Sequence, residues 1–261
     1  MFFTTSGPVR GSFISFLGWK LQTLESWIFD HVILRDEAHK IKFSYRKDDT
    51  ITIVPIGANL GFFHDQQSRI WEKFRIDPEV FLFTYAGSLN PVRKIETLID
   101  SLNSVLAQKK AALMIIGNGG TERLREYAQV NQMEDHVIFT GEIPYDQVPV
   151  YLAASDCFIS YVPITPEFDI QPPLKTVEAL ATGLPVIATD TLGNRRFICH
   201  GENGVLTGDD ASSLSSAMLL MMHNESLRKK VQKNARKSVE EYDWKKIVSQ
   251  KLLPAYERIL A

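Results

Sequence analysis

From Phe81 onward the apolar positions fall into two alternating registers. Phe81-Leu-Phe-Thr-Tyr-Ala86 is an apolar run closed by Gly87, the pattern of a strand buried on both faces. Ile95, Leu98, Ile99, Leu102 and Leu106 follow at helical spacing and predict an amphipathic helix. The alternation then repeats. It predicts a strand at Leu113–Ile116, a turn at Gly117-Asn-Gly-Gly120, a helix over 121–131, a strand at Val137–Thr140, a short helix over 146–154 and a strand at Cys157–Tyr161. Pro172-Pro173 suits the entry to a helix, since proline fits a first turn and not an interior. Leu174, Val177 and Ala181 make one face of that helix apolar, Gly183 stops it, and Pro185-Val-Ile-Ala188 reads as a buried strand. A helix near 191–198, a strand at Gly204–Leu206 and helices over 210–222, 225–241 and 243–260 complete the pattern. Strands alternating with helices imply parallel pairing and right-handed crossovers. The expected fold is therefore α/β, a doubly wound parallel sheet over about 81–242.

Before Phe81 the pattern is less regular. Residues 12–34 read as a helix (Phe16, Leu17, Leu21, Leu24, Trp27, Ile28) running into an apolar strand, His31–Leu34. Residues 36–46 look helical, Ile51–Pro55 is a strand, and Ile56–Asn59 is a turn. The segment 61–80 holds Gly61, Asp65, Pro78 and many charges and reads as a linker. The expected organisation is a partial N-terminal portion (1–60), the linker (61–80), the main domain (81–242) and a final helix (243–261).

Composition narrows the functional classes. The 261 residues carry a formal charge of −2, which gives no electrostatic case for nucleic acid as the main partner. Two cysteines without paired spacing fit a reduced, cytoplasmic protein. The N-terminus lacks a basic region and is broken by Gly7-Pro8, unlike a signal peptide. Phe13–Trp19 is apolar but too short to cross a bilayer. It either lies in a membrane interface or, the preferred reading, packs into the protein. The six histidines show no metal-ligand spacing and no Gly-x-Ser-x-Gly elbow occurs, so neither a bound metal nor a serine hydrolase is expected.

Candidate chemistry clusters at the turns after strands, where open α/β sheets bind ligands. After Gly87 and Ser88, two adjacent cations, Arg93 and Lys94, stand at a helix start and suit a diphosphate. Gly117-Asn118-Gly119-Gly120 reads as a phosphate loop or as a simple tight turn. Gly141, Glu142 and Ile143 open a crevice suited to a nucleobase. Lys175 and Glu178, three residues apart at a helix start, share one face. They form either a ligand seat beside the helix N-terminus or a solvated ion pair.

In order along the chain stand Val54-Pro-Ile-Gly57 with Phe63, Ala86-Gly-Ser-Leu89 with Arg93, Ile116-Gly-Asn-Gly119, Val137-Ile-Phe-Thr-Gly141, Leu174 to Ile187, and Glu202-Asn-Gly-Val-Leu206. This ordered set resembles the C-terminal, donor-binding half of the family 4 (group 1) glycosyltransferases of the GT-B fold. The resemblance runs from about Trp27 to the C-terminus. It implies retaining transfer of a sugar from a nucleotide-sugar donor to an acceptor hydroxyl, without a cofactor or divalent metal. It implies that Arg93 stabilises leaving-group charge, that Glu178 accepts hydrogen bonds from the donor ribose, and that Ile143 contacts the base. Lys175 would touch the sugar or phosphates, with Gly87, Ser88, Lys94, Gly117, Asn118 and Gly141 around the donor. Relatives often act on lipid or polysaccharide acceptors, which implies a cytoplasmic protein with peripheral contact at the inner membrane face.

The chain departs from the family pattern at three places. Ile170 stands where the first glutamate of the paired motif falls, Ser88 stands where arginine is common, and residues 1–60 are too few for the N-terminal acceptor-side domain. The expectation is a transferase complemented by an N-terminal half, with a catalytically silent nucleotide-sugar-binding module as the alternative. A GT-B-shaped epimerase fits the motifs less well.

Overall fold

The protein was analysed as a computed structural model that describes residues 2–4, 20–21, 24–37, 40, 43–64 and 68–260. The chain divides into two compact units, one of residues 1–59 with 241–261 and one of residues 60–240. Phe13–Trp19, Asp65 and parts of the helices expected over 12–34 and 36–46 lie outside the described residues.

The larger unit is a six-stranded parallel sheet. Its strands are β4 (Phe81–Ala86), β5 (Ala111–Ile116), β6 (Val137–Gly141), β7 (Cys157–Ser160), β8 (Val186–Thr189) and β9 (Val205–Thr207). Their spatial order is β6-β5-β4-β7-β8-β9, every neighbouring pair being parallel. The order reverses between β4 and β7, which opens a crevice at their carboxyl ends. Both faces are covered, as the unbroken apolar strands require. Phe83, Tyr85, Leu113 and Ile115 join one cluster with Leu98, Ile99 and Leu102 of the helix Glu96–Leu106, Leu124 of Thr121–Val130 and Met218 of Ala211–His223. The alternate residues Leu82, Ala112, Met114 and Ile116 face a second cluster with Ile70 and Tyr151. Ile70 begins a helix, Ile70–Phe74, inside the stretch expected to be a linker. Its apolar residues Ile70, Trp71 and Phe74 pack on the sheet, so this part of 61–80 belongs to the domain.

Other departures from expectation are local. Only a 3-10 turn, Asn194–Arg196, forms where a helix was expected near 191–198. The helix expected over 225–241 spans Glu225–Ser238. In the smaller unit, β1 (Phe2–Thr4), β2 (His31–Leu34) and β3 (Ile51–Ile53) make a parallel sheet around Val32, Leu34 and Phe43. The C-terminal helical run returns to this unit as Trp244–Ile247, a π-helical turn Val248–Leu252, and Leu253–Leu260. It begins against the 57–58 backbone, with the Ala58 N–H donating to the Tyr242 carbonyl at 2.9 Å and the Trp244 N–H to the Ala58 carbonyl at 3.0 Å.

Two turns after strands separate crowding from conformation. Gly117 has φ 148°, and a Cβ there would lie 1.9 Å from the Gly87 carbonyl oxygen. Gly141 has φ 72° with nothing within 4 Å of such a Cβ. Gly117→Ala is expected to lower stability by about 2–4 kcal/mol, from left-handed strain plus overpacking. Gly141→Ala should cost about 1–2 kcal/mol from strain alone. Urea unfolding of both variants checks the order, and equal losses would contradict it.

Candidate functional site

A crevice of about 360 Å³ lies at the switch point of the larger sheet. Its walls include Gly87, Ser88 and Arg93 after β4, Val162 and Phe168 after β7, and Leu174, Lys175 and Glu178 of the helix Leu174–Ala181. That helix starts after Pro173 with no side-chain cap, and its first two residues, Leu174 and Lys175, line the crevice. The resulting partial positive charge suits an anion.

Buried polar contacts hold the helix in register. Ser160 Oγ and Thr176 Oγ1 lie 2.6 Å apart, Thr176 Oγ1 donates to Asn194 Oδ1 at 2.8 Å, and Asn194 Nδ2 donates to the Thr189 carbonyl at 2.9 Å. The network joins β7, the helix and the turn after β8. Asn194, the first residue of the 3-10 turn Asn194–Arg196, commits its side-chain amide to this network.

Two cations line one side. Lys175 Nζ donates to the Tyr161 carbonyl at 2.6 Å and sits 4.0 Å from the centroid of the Tyr85 ring. Part of its stem is open to the crevice while the ammonium is enclosed, so burial, and then the neighbouring Arg93 charge, hold its pKa well below the ordinary lysine range. The Arg93 guanidinium lies 4.1 Å from the centroid of the buried Phe168 ring. Among the described residues neither cation has a carboxylate partner. Gly87, with φ 149°, keeps the β4 turn free of a side chain 3.7 Å from Lys175 Nζ.

The other side carries the acid. Glu178 is 8% exposed, and its Oε1 accepts a hydrogen bond from the Tyr145 hydroxyl at 2.6 Å. Burial raises its pKa and the Tyr145 hydrogen bond opposes that rise. Tyr145 is itself raised, by burial and by the bond to Glu178.

The crevice thus unites Gly87, Ser88, Arg93, Lys175 and Glu178 from the expected set. Lys175 and Glu178 are not an ion pair on a solvated face. The other five residues do not line it. Lys94 is exposed and ends the Pro91–Arg93 turn with φ 50°. The Gly117 N–H donates to the Gly141 carbonyl, the Asn118 carbonyl accepts the Leu89 N–H, and Asn118 Nδ2 donates to Glu142, so these residues brace neighbouring turns. Ile143 packs against the cluster under Met114 and Ile116. Ile170 is also absent from the lining, and Asp169 is occupied in accepting the Leu192 N–H with its carboxylate at 2.9 Å. Sequence reasoning missed Tyr145, Tyr85, Phe168 and Gln171. Tyr85 carries the signal of strand alternation from Phe83, but nothing local marks the other three.

A crevice at the switch point of a doubly wound sheet, with a helix N-terminus and two cations that lack a carboxylate partner among the described residues, is an arrangement suited to a phosphorylated ligand. A family model described as glycosyl transferases group 1 matches residues 66–238, and the chain belongs to this family. It is 28% identical over 171 residues to the phosphatidyl-myo-inositol mannosyltransferase of Mycobacterium leprae, covering 65% of this chain and 44% of the relative. It is 31% identical over 176 residues to the putative glycosyltransferase YtcC of Bacillus subtilis, covering 63% and 41%. The chain therefore spans less than half the length of these curated relatives. Among solved structures, Anabaena HepE in complex with UDP superposes with a TM-score of 0.79 at 18% identity, covering 93% of this chain and 68% of that one. This likeness shows the fold, the Rossmann-like architecture of GT-B glycosyltransferases. No helix among the described residues is long and apolar enough to cross a membrane.

An enclosed ammonium without an anion destabilises the native state. The lowered pKa means the unfolded chain binds more protons between the native and unfolded lysine values, so stability rises with pH across that window. Lys175→Met removes this titration, so the Tm of the wild type relative to the variant should rise as pH climbs through the window. Thermal melts across pH check this, and a difference that does not change with pH would contradict it.

Proposed function

We propose that the crevice holds a nucleotide-sugar donor and that the protein is a retaining glycosyltransferase, passing the donor sugar to an acceptor hydroxyl. The observation that carries this is the presence, in one crevice at the switch point, of a helix N-terminus, a buried carboxylate and two cations without a carboxylate partner among the described residues. Neighbouring structures support the ligand class, since HepE has been solved with UDP and with UDP-glucose. The curated relatives named as mannosyltransferase and glycosyltransferase support the reaction class.

On this reading Arg93, Lys175 and the N–H groups at the start of Leu174–Ala181 meet the diphosphate, so no divalent ion is required. Negative charge grows on the leaving phosphate as the glycosidic bond breaks, and fixed cations favour that transition state over the ground state. The Phe168 ring, 4.1 Å from the Arg93 guanidinium, gives that group a fixed neighbour that limits its movement. Glu178 accepts hydrogen bonds from ribose hydroxyls. The acceptor wall belongs to an N-terminal domain, in the same or a separate polypeptide, and donor and acceptor must be brought together before transfer. Peripheral contact with a membrane surface is part of this proposal where the acceptor is a lipid.

The second reading is a catalytically silent nucleotide-sugar-binding module. The observation that favours it is Ile170 at the position of a family glutamate, together with its absence from the crevice lining. Transfer of labelled sugar, measured with an added N-terminal domain, separates the two. Binding without any turnover would leave the module reading standing.

For the site itself, Arg93→Ala and Glu178→Ala should each weaken donor binding by roughly 1.5–3 kcal/mol, the worth of a charge-assisted hydrogen bond. Calorimetry with UDP- and GDP-sugars measures this, and unchanged affinity in both variants would remove the assignment.

A further inference from the structure

One side chain of the crevice has no role in the donor reading. Tyr145 opens the 3-10 turn Tyr145–Gln147 after Pro144, and it is 58% exposed. An exposed tyrosine ordinarily spends its hydroxyl on water, yet this one donates to Glu178 Oε1 at 2.6 Å. That bond is the one hydrogen bond the Glu178 carboxylate makes among the described residues. A carboxylate has about four acceptor positions, so most of its capacity stays open toward the crevice.

The ring is held as firmly as the hydroxyl. It stacks on Phe62 with centroids 5.9 Å apart and planes at 21°, and it meets the Phe63 ring edge-on at 5.7 Å. The turn carrying both phenylalanines is fixed by one guanidinium. Arg236 donates to the carbonyls of Leu60 at 2.7 Å and Phe63 at 2.6 Å. The same guanidinium donates to the carbonyl of Ala181, the last residue of the helix that carries Glu178. Arg236 thereby ties the turn to the helix, and Tyr145 spans from the Phe62–Phe63 rings to the carboxylate. The distance between ring platform and acid is set by packed and hydrogen-bonded parts.

We propose that Tyr145 is a positioning residue that aims the Glu178 carboxylate at the sugar of the bound nucleotide, and so sets how strongly ribose hydroxyls are recognised. A buried carboxylate without this donor is free to rotate or to take a proton. With it, one oxygen is fixed and the other faces the ligand as an acceptor. The inference rests on the donor reading above, and it names the part of the ligand that Tyr145 governs.

The test compares the wild-type chain with Tyr145→Phe, which keeps the ring on Phe62 and Phe63 and removes only the hydroxyl. Calorimetry first finds which of UDP, GDP and ADP the wild type binds. It then measures that nucleotide and its 2′,3′-dideoxy counterpart on both proteins. The wild type should lose about tenfold to a hundredfold on losing the ribose hydroxyls. Tyr145→Phe should bind the ribonucleotide about fivefold to tenfold more weakly while holding the dideoxy compound as the wild type does. A general loosening of the fold would weaken both ligands equally, so the shrinking ratio is the diagnostic quantity. In a Glu178→Gln background, Tyr145→Phe should have little further effect, because the tyrosine acts through the acid. Undiminished ribose discrimination in Tyr145→Phe would overturn the inference alone. Tighter binding would also overturn it, showing that the hydroxyl blocks the acid. Failure of the wild type to bind any of the three nucleotides would instead overturn the donor reading, and this inference with it.

Discussion

The crevice of the larger unit is arranged around the Lys175 ammonium, which no carboxylate neutralises among the described residues. Lys175 is held by a carbonyl and the face of an aromatic ring, partners that orient a cation without cancelling its charge. Arg93 stands beside it on Phe168, adding like charge. A folded protein keeps such a pair only where the surrounding structure dictates it, and here the constraints can be traced. The Ser160–Thr176–Asn194 network sets the helix that bears Lys175, and Gly87 leaves room above the ammonium. An anion placed here would offset the cost of enclosing these charges, which is the electrostatic reason the crevice suits a phosphate.

Lys175 and Glu178 stand three residues apart on one helix and both line the crevice, yet among the described residues they do not form an ion pair. Had they paired, each would have cancelled the other. Their separate partners, the Tyr161 carbonyl and the Tyr145 hydroxyl, keep both available to a ligand that carries negative charge at one end and hydroxyls at the other. A nucleoside diphosphate has that polarity.

Much of the sheet was legible because its strands are covered on both faces. Phe81–Ala86 is the clearest case, since a run apolar at every position has no solvated alternative in a parallel sheet. The helix Ile70–Phe74 was hidden because it is five residues long and its apolar positions are scattered among charges. The break in the C-terminal helical run at Val248–Leu252 does carry a signal, which the single helix expected over 243–260 passes over, since Pro254 has no N–H and its ring crowds the Gln250 carbonyl four residues back, inside the π-helical turn. For the site, residue type and turn position identified Gly87, Ser88, Arg93, Lys175 and Glu178. Gly117, Asn118 and Gly141 show the same turn chemistry but serve to brace adjacent loops, because backbone pairing between turns is decided by sheet order. Tyr145, Phe168 and Gln171 reach the crevice through loops, where no periodicity tells which way a side chain lies.

The departure at Ile170 gains meaning from its neighbours. The two acids nearest to it in sequence do not replace the missing glutamate. Asp169 uses its carboxylate on the Leu192 N–H and its carbonyl on the Gly193 N–H, and Glu167 is exposed outside the crevice lining. Gly193 packs so tightly on this segment that a Cβ there would lie 2.1 Å from the Gln171 carbonyl oxygen, so the loop has no room to shift an acid inward at that point. The polar side chain that does line the crevice from this loop is Gln171, a neutral group whose amide donates to the Glu167 carbonyl at 2.8 Å. With one N–H spent there, its carbonyl oxygen and second N–H remain for a ligand. Among the described residues that line the crevice Glu178 is therefore the one carboxylate, and this loop offers a neutral amide in place of a charged acceptor. Neutral hydrogen bonds discriminate less strongly than charge-assisted ones. On the donor reading proposed above, selectivity falls on the part of the ligand that meets Arg93, Lys175 and Glu178.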